Sequence, residues 1–244
     1  MLTELVVELA LLLALVLFAH IALKAWLRYR QPWYSEILLK RRLAVLGLLV
    51  LLIIGAKVFE DVLEQESGFV DRFILTSIRS HVPATLYGFF NVVTVAGSAL
   101  TVVPVVSVTA LVLFWIKRRA EAFMVVASLA TAALLVYLIK TATGRARPDL
   151  WETEWFWGSS FPSGHTSHTA AAATALALCA ARFWPATAKL AMAVALGWTS
   201  LVALSRLVLG VHWPTDVLAA MCLGTFVSLS ISIMLDLRQH AANR

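Results

Sequence analysis

Two apolar runs, Gly97 to Ile116 and residues 120–139, flank the basic triplet Lys117-Arg118-Arg119. The first run holds no charged side chain and the second only Glu121. Each matches the roughly 20 residues of helix that cross the hydrocarbon core of a bilayer. In that solvent only a helix or a closed barrel satisfies every backbone N–H and C=O, and unbroken apolar runs of this length are helices. Pro104 inside the first run is tolerable where neighbouring helices surround it. The pair is a transmembrane hairpin, and it fixes the class of the chain as an all-α integral membrane protein.

The pattern recurs. Residues 2–26, 43–59, 166–183, 190–209 and 215–235 read as further spans, while residues 84–95 are ambiguous. Residues 60–83 carry both signs of charge and read as a polar stretch with a surface helix. The total is about seven spans, of which six form a compact C-terminal set. Residues 1–42 read as a separate unit, an extra N-terminal transmembrane helix followed by a basic, aromatic interfacial segment. That segment contains Trp26, Arg28, Arg30, Trp33 and Tyr34. Residues 43–244 form the second unit.

Composition agrees: of 244 residues, 61% are hydrophobic and 14% charged, against about 25% charged in a soluble domain. The net charge of +6 does not indicate nucleic acid, because the cations lie at the ends of apolar runs rather than in one patch. Cys179 and Cys222 fall inside apolar segments, and no disulfide framework or metal-ligand spacing is present. Most cations outside the polar clusters described next lie in the 24–42 segment, the 117–119 and 182–189 turns and the C-terminal tail, so that side is cytoplasmic. The 140–163 and 210–216 loops then face the periplasm or exterior of a multi-pass protein of the cytoplasmic membrane.

Three polar clusters fall on that outer side. One is Lys140-Thr-Ala-Thr-Gly-Arg145-Ala-Arg147-Pro148, one is Phe161-Pro162-Ser163-Gly164-His165, and one runs from Ser205-Arg206 through His212 to Asp216. Each has a bland alternative: a snorkelling cation, an ordinary helix cap, an interfacial histidine. Their coincidence at one surface describes a phosphate site. A helix starting near Ser163 presents free N–H groups and its positive dipole end to an anion. Gly164 allows close backbone approach. Lys140, Arg147 and Arg206 supply charge to the oxygens of a transferring phosphoryl group. With no carboxylate cluster to hold a metal, the chemistry is expected to need neither metal nor cofactor. His212 is the candidate nucleophile, Asp216 its orienting acceptor from the first turn of a helix begun by Pro214, and His165 the acid and base.

These residues occur in the order Lys, six residues, Arg-Pro; Pro-Ser-Gly-His; Ser-Arg, five residues, His, three residues, Asp. The triple motif resembles that of the type-2 phosphatidic acid phosphatase superfamily, over roughly residues 43–235. The resemblance implies a six-helix transmembrane core related to vanadium haloperoxidases, with its site at the extracytoplasmic face. It also implies a phosphohistidine at His212, orientation by Asp216, acid–base work by His165, and phosphate binding by Lys140, Arg147, Ser163, Gly164 and Arg206. The N-terminal unit is not required by the motif. Arg145 and His168 lie outside it; Arg145 would serve a second phosphate or a head group, or be a solvated loop charge, and His168 would touch substrate or be structural. The aromatic loop with Trp151, Glu152, Glu154, Trp155, Phe156 and Trp157 reads as an interfacial belt, or else as a lid for a lipid tail.

The expected activity is removal of a terminal phosphate from a membrane lipid phosphate or diphosphate. By family resemblance the substrate is undecaprenyl diphosphate, phosphatidylglycerophosphate or phosphatidic acid, or a lipid A phosphate. Transfer of the phosphoryl group to another acceptor is the alternative within the class. An anion or lipid transporter is the alternative outside it, and no inverted repeat supports that reading. The expected partners are the lipid substrate and the bilayer.

Overall fold

The structure, a computed structural model, describes residues 34–151, 153 and 158–242, with positions 14, 16–22, 24–26 and 29 before them. Much of the expected first span, together with Arg28, Arg30, Trp33, Glu152, Glu154, Trp155, Phe156, Trp157 and Arg244, lies outside the described residues.

From Ser35 onward the helices are α1 (Ser35–Lys40), α2 (Arg42–Leu63), α3 (Gly68–His81), α4 (Tyr87–Ala96) and α5 (Ala99–Trp115). They continue with α6 (Arg119–Thr143), α7 (Gly164–Phe183), α8 (Ala188–Val208) and α9 (Pro214–Ala242), and no strand occurs among the described residues. By length and apolarity α2, α6, α8 with its lead-in turn, and α9 can cross a membrane. The ambiguous stretch 84–95 resolves as α4, bent by 43° from α5, so the two make either a broken span or a re-entrant pair. The break falls at Gly97. A methyl group there would meet Val202 of α8 at 2.5 Å, so the missing side chain is what lets α4 lie against α8. The second span also runs further than its apolar pattern suggests. The helix continues past Lys57 to Leu63 because Lys57 pairs with Glu60 at 3.2 Å and Asp61 at 3.0 Å, one turn on.

At the centre stands α7, packed against α6, α8 and α9. Its sequence, GHTSHTAAAATALALCAARF, is less apolar than those of the three helices packed around it. That follows from its position: a helix walled by protein needs small residues for close packing more than it needs hydrocarbon. Gly224 of α9 meets it where a methyl group would collide with the Ser167 carbonyl and sit 2.7 Å from the Ala170 Cβ. One turn further, the Ser228 hydroxyl donates to the Ala171 carbonyl at 2.8 Å. Thr169 ties α7 to the α4 end through the Gly97 carbonyl, at 3.3 Å.

The two ends of the bundle differ in chemistry. At one end Asp236 binds Arg41 and Arg182, each at 2.7 Å, and Arg118 pairs with Glu121 at 2.5 Å. These are the cation-rich turns. The other end gathers the three polar clusters and the surface helix α3. Between α2, α6 and α9 an apolar groove of about 600 Å³, with Leu51, Leu135 and Phe226 in its wall, suits bilayer hydrocarbon.

Candidate active site

The third cluster is built by a helix ending and the next one starting. Gly210 turns the chain after α8 with φ +70°, a conformation glycine adopts without strain. Pro214 opens α9, where a missing N–H costs nothing. Asp216, in that first turn, accepts the Trp213 backbone N–H at 2.9 Å and the His212 Nδ1 at 3.2 Å. The expected pairing of His212 with Asp216 is therefore present. Because Nδ1 faces a carboxylate, the proton belongs there and Nε2 keeps its lone pair. His212 is 2% exposed, and this burial, opposed by Asp216, pushes its pKa down to about 4.

The first cluster leaves the end of α6. Arg147 donates to the Val211 carbonyl at 2.9 Å, and its Nη1 lies 3.4 Å from His212 Nε2. A guanidinium beside the free nitrogen marks where an anion next to that nitrogen would be held. Lys140 donates through Nζ to the Ser159 carbonyl, on the loop that leads into α7. Arg206, 1% exposed near the end of α8, donates to Thr94 Oγ1 of α4 at 2.5 Å. Its backbone carbonyl accepts the Val211 N–H at 3.2 Å, so Arg206 and Arg147 are tied to the same residue.

The second cluster is the start of α7. Ser163 takes the N-cap position; its hydroxyl accepts from Thr166 Oγ1 at 3.1 Å, and its N–H donates to the Asp216 carbonyl at 3.2 Å. The N–H groups of the first turn that follow have no intrahelical acceptor. A methyl group at Gly164 would stand 3.9 Å from both the His168 ring and Val136, ordinary contact distance. The protein therefore has room for a side chain at Gly164, and a requirement for glycine there would come from a ligand. His165 and His168 are half-buried and make no hydrogen bond among the described residues.

Arg145 is neither a solvated loop charge nor free for a second phosphate. Its guanidinium donates to Asp216 Oδ1 at 2.6 Å and Asp71 Oδ2 at 2.6 Å, with further bonds to Thr215 at 2.8 Å and Ser67 at 3.1 Å. Asp71, on α3, is fully buried and also accepts the Thr215 backbone N–H at 3.0 Å and its hydroxyl at 2.8 Å. Asp71 and Thr215 were missed by motif reasoning. Their signal is an acid at helical spacing with Leu75 and Ile78, on the apolar face of a surface helix. Trp151 is not a surface belt residue either. It packs with Leu75, Leu207 and Val217, and a side chain at Gly210 would strike its ring at 2.5 Å.

Comparison with known proteins places this geometry. Residues 121–239 match the family model of the PAP2 superfamily. An undecaprenyl-diphosphatase from Sulfolobus acidocaldarius is 32% identical over 178 residues, covering 70% of this chain and 81% of that one. The chain belongs to the PAP2 superfamily. A lipid A 1-phosphatase from Rhizobium johnstonii is 36% identical over 113 residues, 42% of this chain and 43% of the relative, so this match spans less than half of that protein. In fold, a transmembrane PAP2 type phosphatidylglycerolphosphate phosphatase from Bacillus subtilis superposes with a TM-score of 0.67 at 23% identity, over 80% of this chain and 96% of that one. The three polar clusters of this chain converge at one end of its helix bundle, around the start of α7.

Proposed function

We propose that this PAP2 protein hydrolyses the terminal phosphate of a membrane lipid phosphate or diphosphate through a phosphohistidine. The observation that carries the reading is the buried His212, held by Asp216 at Nδ1 with Arg147 beside Nε2. In the first step the Nε2 lone pair forms a bond to phosphorus while the bond to the lipid oxygen breaks, and His165 gives that oxygen a proton. In the second, His165 takes a proton from water, the water oxygen attacks phosphorus, and the P–N bond breaks to release inorganic phosphate. Lys140, Arg147, Arg206 and the first turn of α7 after Ser163, with Gly164, hold the phosphoryl oxygens as charge builds on them. Fixed cations would perform the service a metal gives elsewhere, so turnover is expected to be metal-independent.

The relative with the widest match is named an undecaprenyl-diphosphatase, which favours an isoprenoid diphosphate among the substrates; the lipid A 1-phosphatase relatives keep a lipid A phosphate as the second reading. The cation-rich turns at the opposite end support a cytoplasmic placement of that end and an outward-facing site. The test is phosphate release by detergent-purified protein in excess EDTA across a lipid panel, with His212→Ala alongside. Brief incubation with labelled substrate should also leave an acid-labile, alkali-stable label on the wild-type chain alone. Full turnover by His212→Ala, or turnover that EDTA stops, overturns this mechanism.

A further inference from the structure

A second cavity, of about 270 Å³, lies between α3, α4, the end of α8 and the loop at Trp151 and Thr153. Arg206 lines it together with Val211, the residue before His212, so it adjoins the candidate phosphate site. The opposite wall is Arg79 of α3. Its guanidinium donates to the Tyr87 hydroxyl and stacks 4.9 Å from the Tyr87 ring and 5.1 Å from the Trp151 ring. An arginine on a surface helix otherwise keeps its rotamer freedom; here two aromatic faces hold it at the cavity wall before anything binds. Between the two cations run Tyr87, Asn91 and Thr94, at helical spacing on one face of the otherwise apolar α4. Polar side chains on one face of an apolar membrane helix serve either a neighbouring helix or a polar cavity, and these line a cavity.

The hydrogen-bond bookkeeping points to an anion. The Tyr87 oxygen accepts from Arg79 and the Thr94 oxygen accepts from Arg206, so each hydroxyl proton is left to donate elsewhere. The Asn91 amide makes no hydrogen bond among the described residues. We propose that this cavity is a second phosphate subsite, gripped by Arg79, Tyr87, Asn91, Thr94 and Arg206, beside the phosphoryl group being transferred. The inference deepens the phosphatase reading and rests on it. The role that Arg145 cannot fill passes to Arg79. Two sources offer this chemistry: the second phosphate of a lipid diphosphate, and free phosphate occupying the subsite alongside the reaction.

The experiment compares wild type with Arg79→Gln and with Asn91→Leu, which keeps both cations. It measures rates on a lipid diphosphate and on the matching lipid monophosphate, and inhibition by inorganic phosphate. A subsite for the substrate's second phosphate predicts that Arg79→Gln loses about tenfold or more in kcat/KM on the diphosphate and less than about twofold on the monophosphate, with Asn91→Leu in the same direction. A subsite for free phosphate predicts unchanged rates on both lipids and inhibition weakened about tenfold in both variants. Equal losses on both lipids, or no change in any readout, overturn the subsite. If wild type releases phosphate from neither lipid, it is the phosphatase reading that fails. The subsite is then read from thermal stabilisation by inorganic phosphate, which Arg79→Gln must diminish; equal stabilisation of the two proteins overturns it.

Discussion

Asp71 and Asp216 are held by two edges of one guanidinium: Arg145 donates to each at 2.6 Å. Asp216 in turn holds His212, so a residue on the surface helix α3 is linked to the candidate nucleophile through three side-chain contacts. Among the described contacts neither Arg145 nor Asp71 bonds to Lys140, Arg147 or Arg206; they act by fixing where Asp216 sits and by keeping its second oxygen occupied.

Replacing Asp71 with Asn leaves the shape and removes a charge from the pair. The expected result is a fall in kcat of about tenfold, roughly 1.4 kcal/mol, with KM within about twofold of wild type. Kinetics on purified protein check it. Combined with Arg145→Gln, the loss should be clearly less than the sum of the single losses, since both substitutions break one network.

The His212 imidazole has its pKa pushed down to about 4 by burial, so the free base persists well below the ordinary histidine range. The sign of each neighbour then follows. Asp216 favours the protonated ring, and Asp216→Asn should lower the pKa further while removing the tautomer lock. Arg147 disfavours it, and Arg147→Gln should raise the pKa toward the ordinary value. Titration of the ring nitrogens by NMR in selectively labelled protein reads both shifts; a rise on Asp216→Asn would contradict the electrostatics described.

Gly164→Ala separates folding from ligand approach. Its new methyl meets nothing closer than 3.9 Å in the protein, so the thermal midpoint should move by less than about 2 °C. Phosphate release should nevertheless fall by about tenfold or more, because the methyl would occupy space beside the anion. Unchanged activity would show that the α7 backbone does not touch substrate.

Gly210→Ala should behave in the opposite way. It forces an L side chain into a left-handed conformation and against the Trp151 ring at 2.5 Å. Expected is a destabilisation of about 1–3 kcal/mol, measured by thermal unfolding in detergent, with activity lost in proportion.

How much of this was legible in the sequence depends on where each constraint is written. Spans show themselves because hydrocarbon demands apolar length: α6 and α8 follow their runs closely, while α9 continues past 235 through the polar tail to Ala242. The catalytic candidates show themselves because helix ends place a His, an Asp and an Arg within a few residues: His212 and Asp216 sit one turn apart and pair across it. Asp71 left a fainter trace. Its partner Arg145 lies far along the chain, and its only local mark is a charge on the buried face with Leu75. The stripe of Tyr87, Asn91 and Thr94 falls in the stretch whose pattern is ambiguous, because a short apolar helix bent away at Gly97 matches neither a full membrane helix nor a loop.

The bond from the Ser163 N–H to the Asp216 carbonyl joins two backbones that the sequence reaches by separate routes. That clasp holds the start of α7 to the start of α9, while Arg145 and Arg147 are held by their own bonds to Asp216 and Val211. The connecting stretch 149–158 holds none of the candidate catalytic or phosphate-binding residues. Relatives can therefore lengthen, shorten or redecorate that stretch to suit a different lipid while the chemistry beneath keeps its alignment, so divergence in what such proteins act on should concentrate there and in α4, and spare the start of α7.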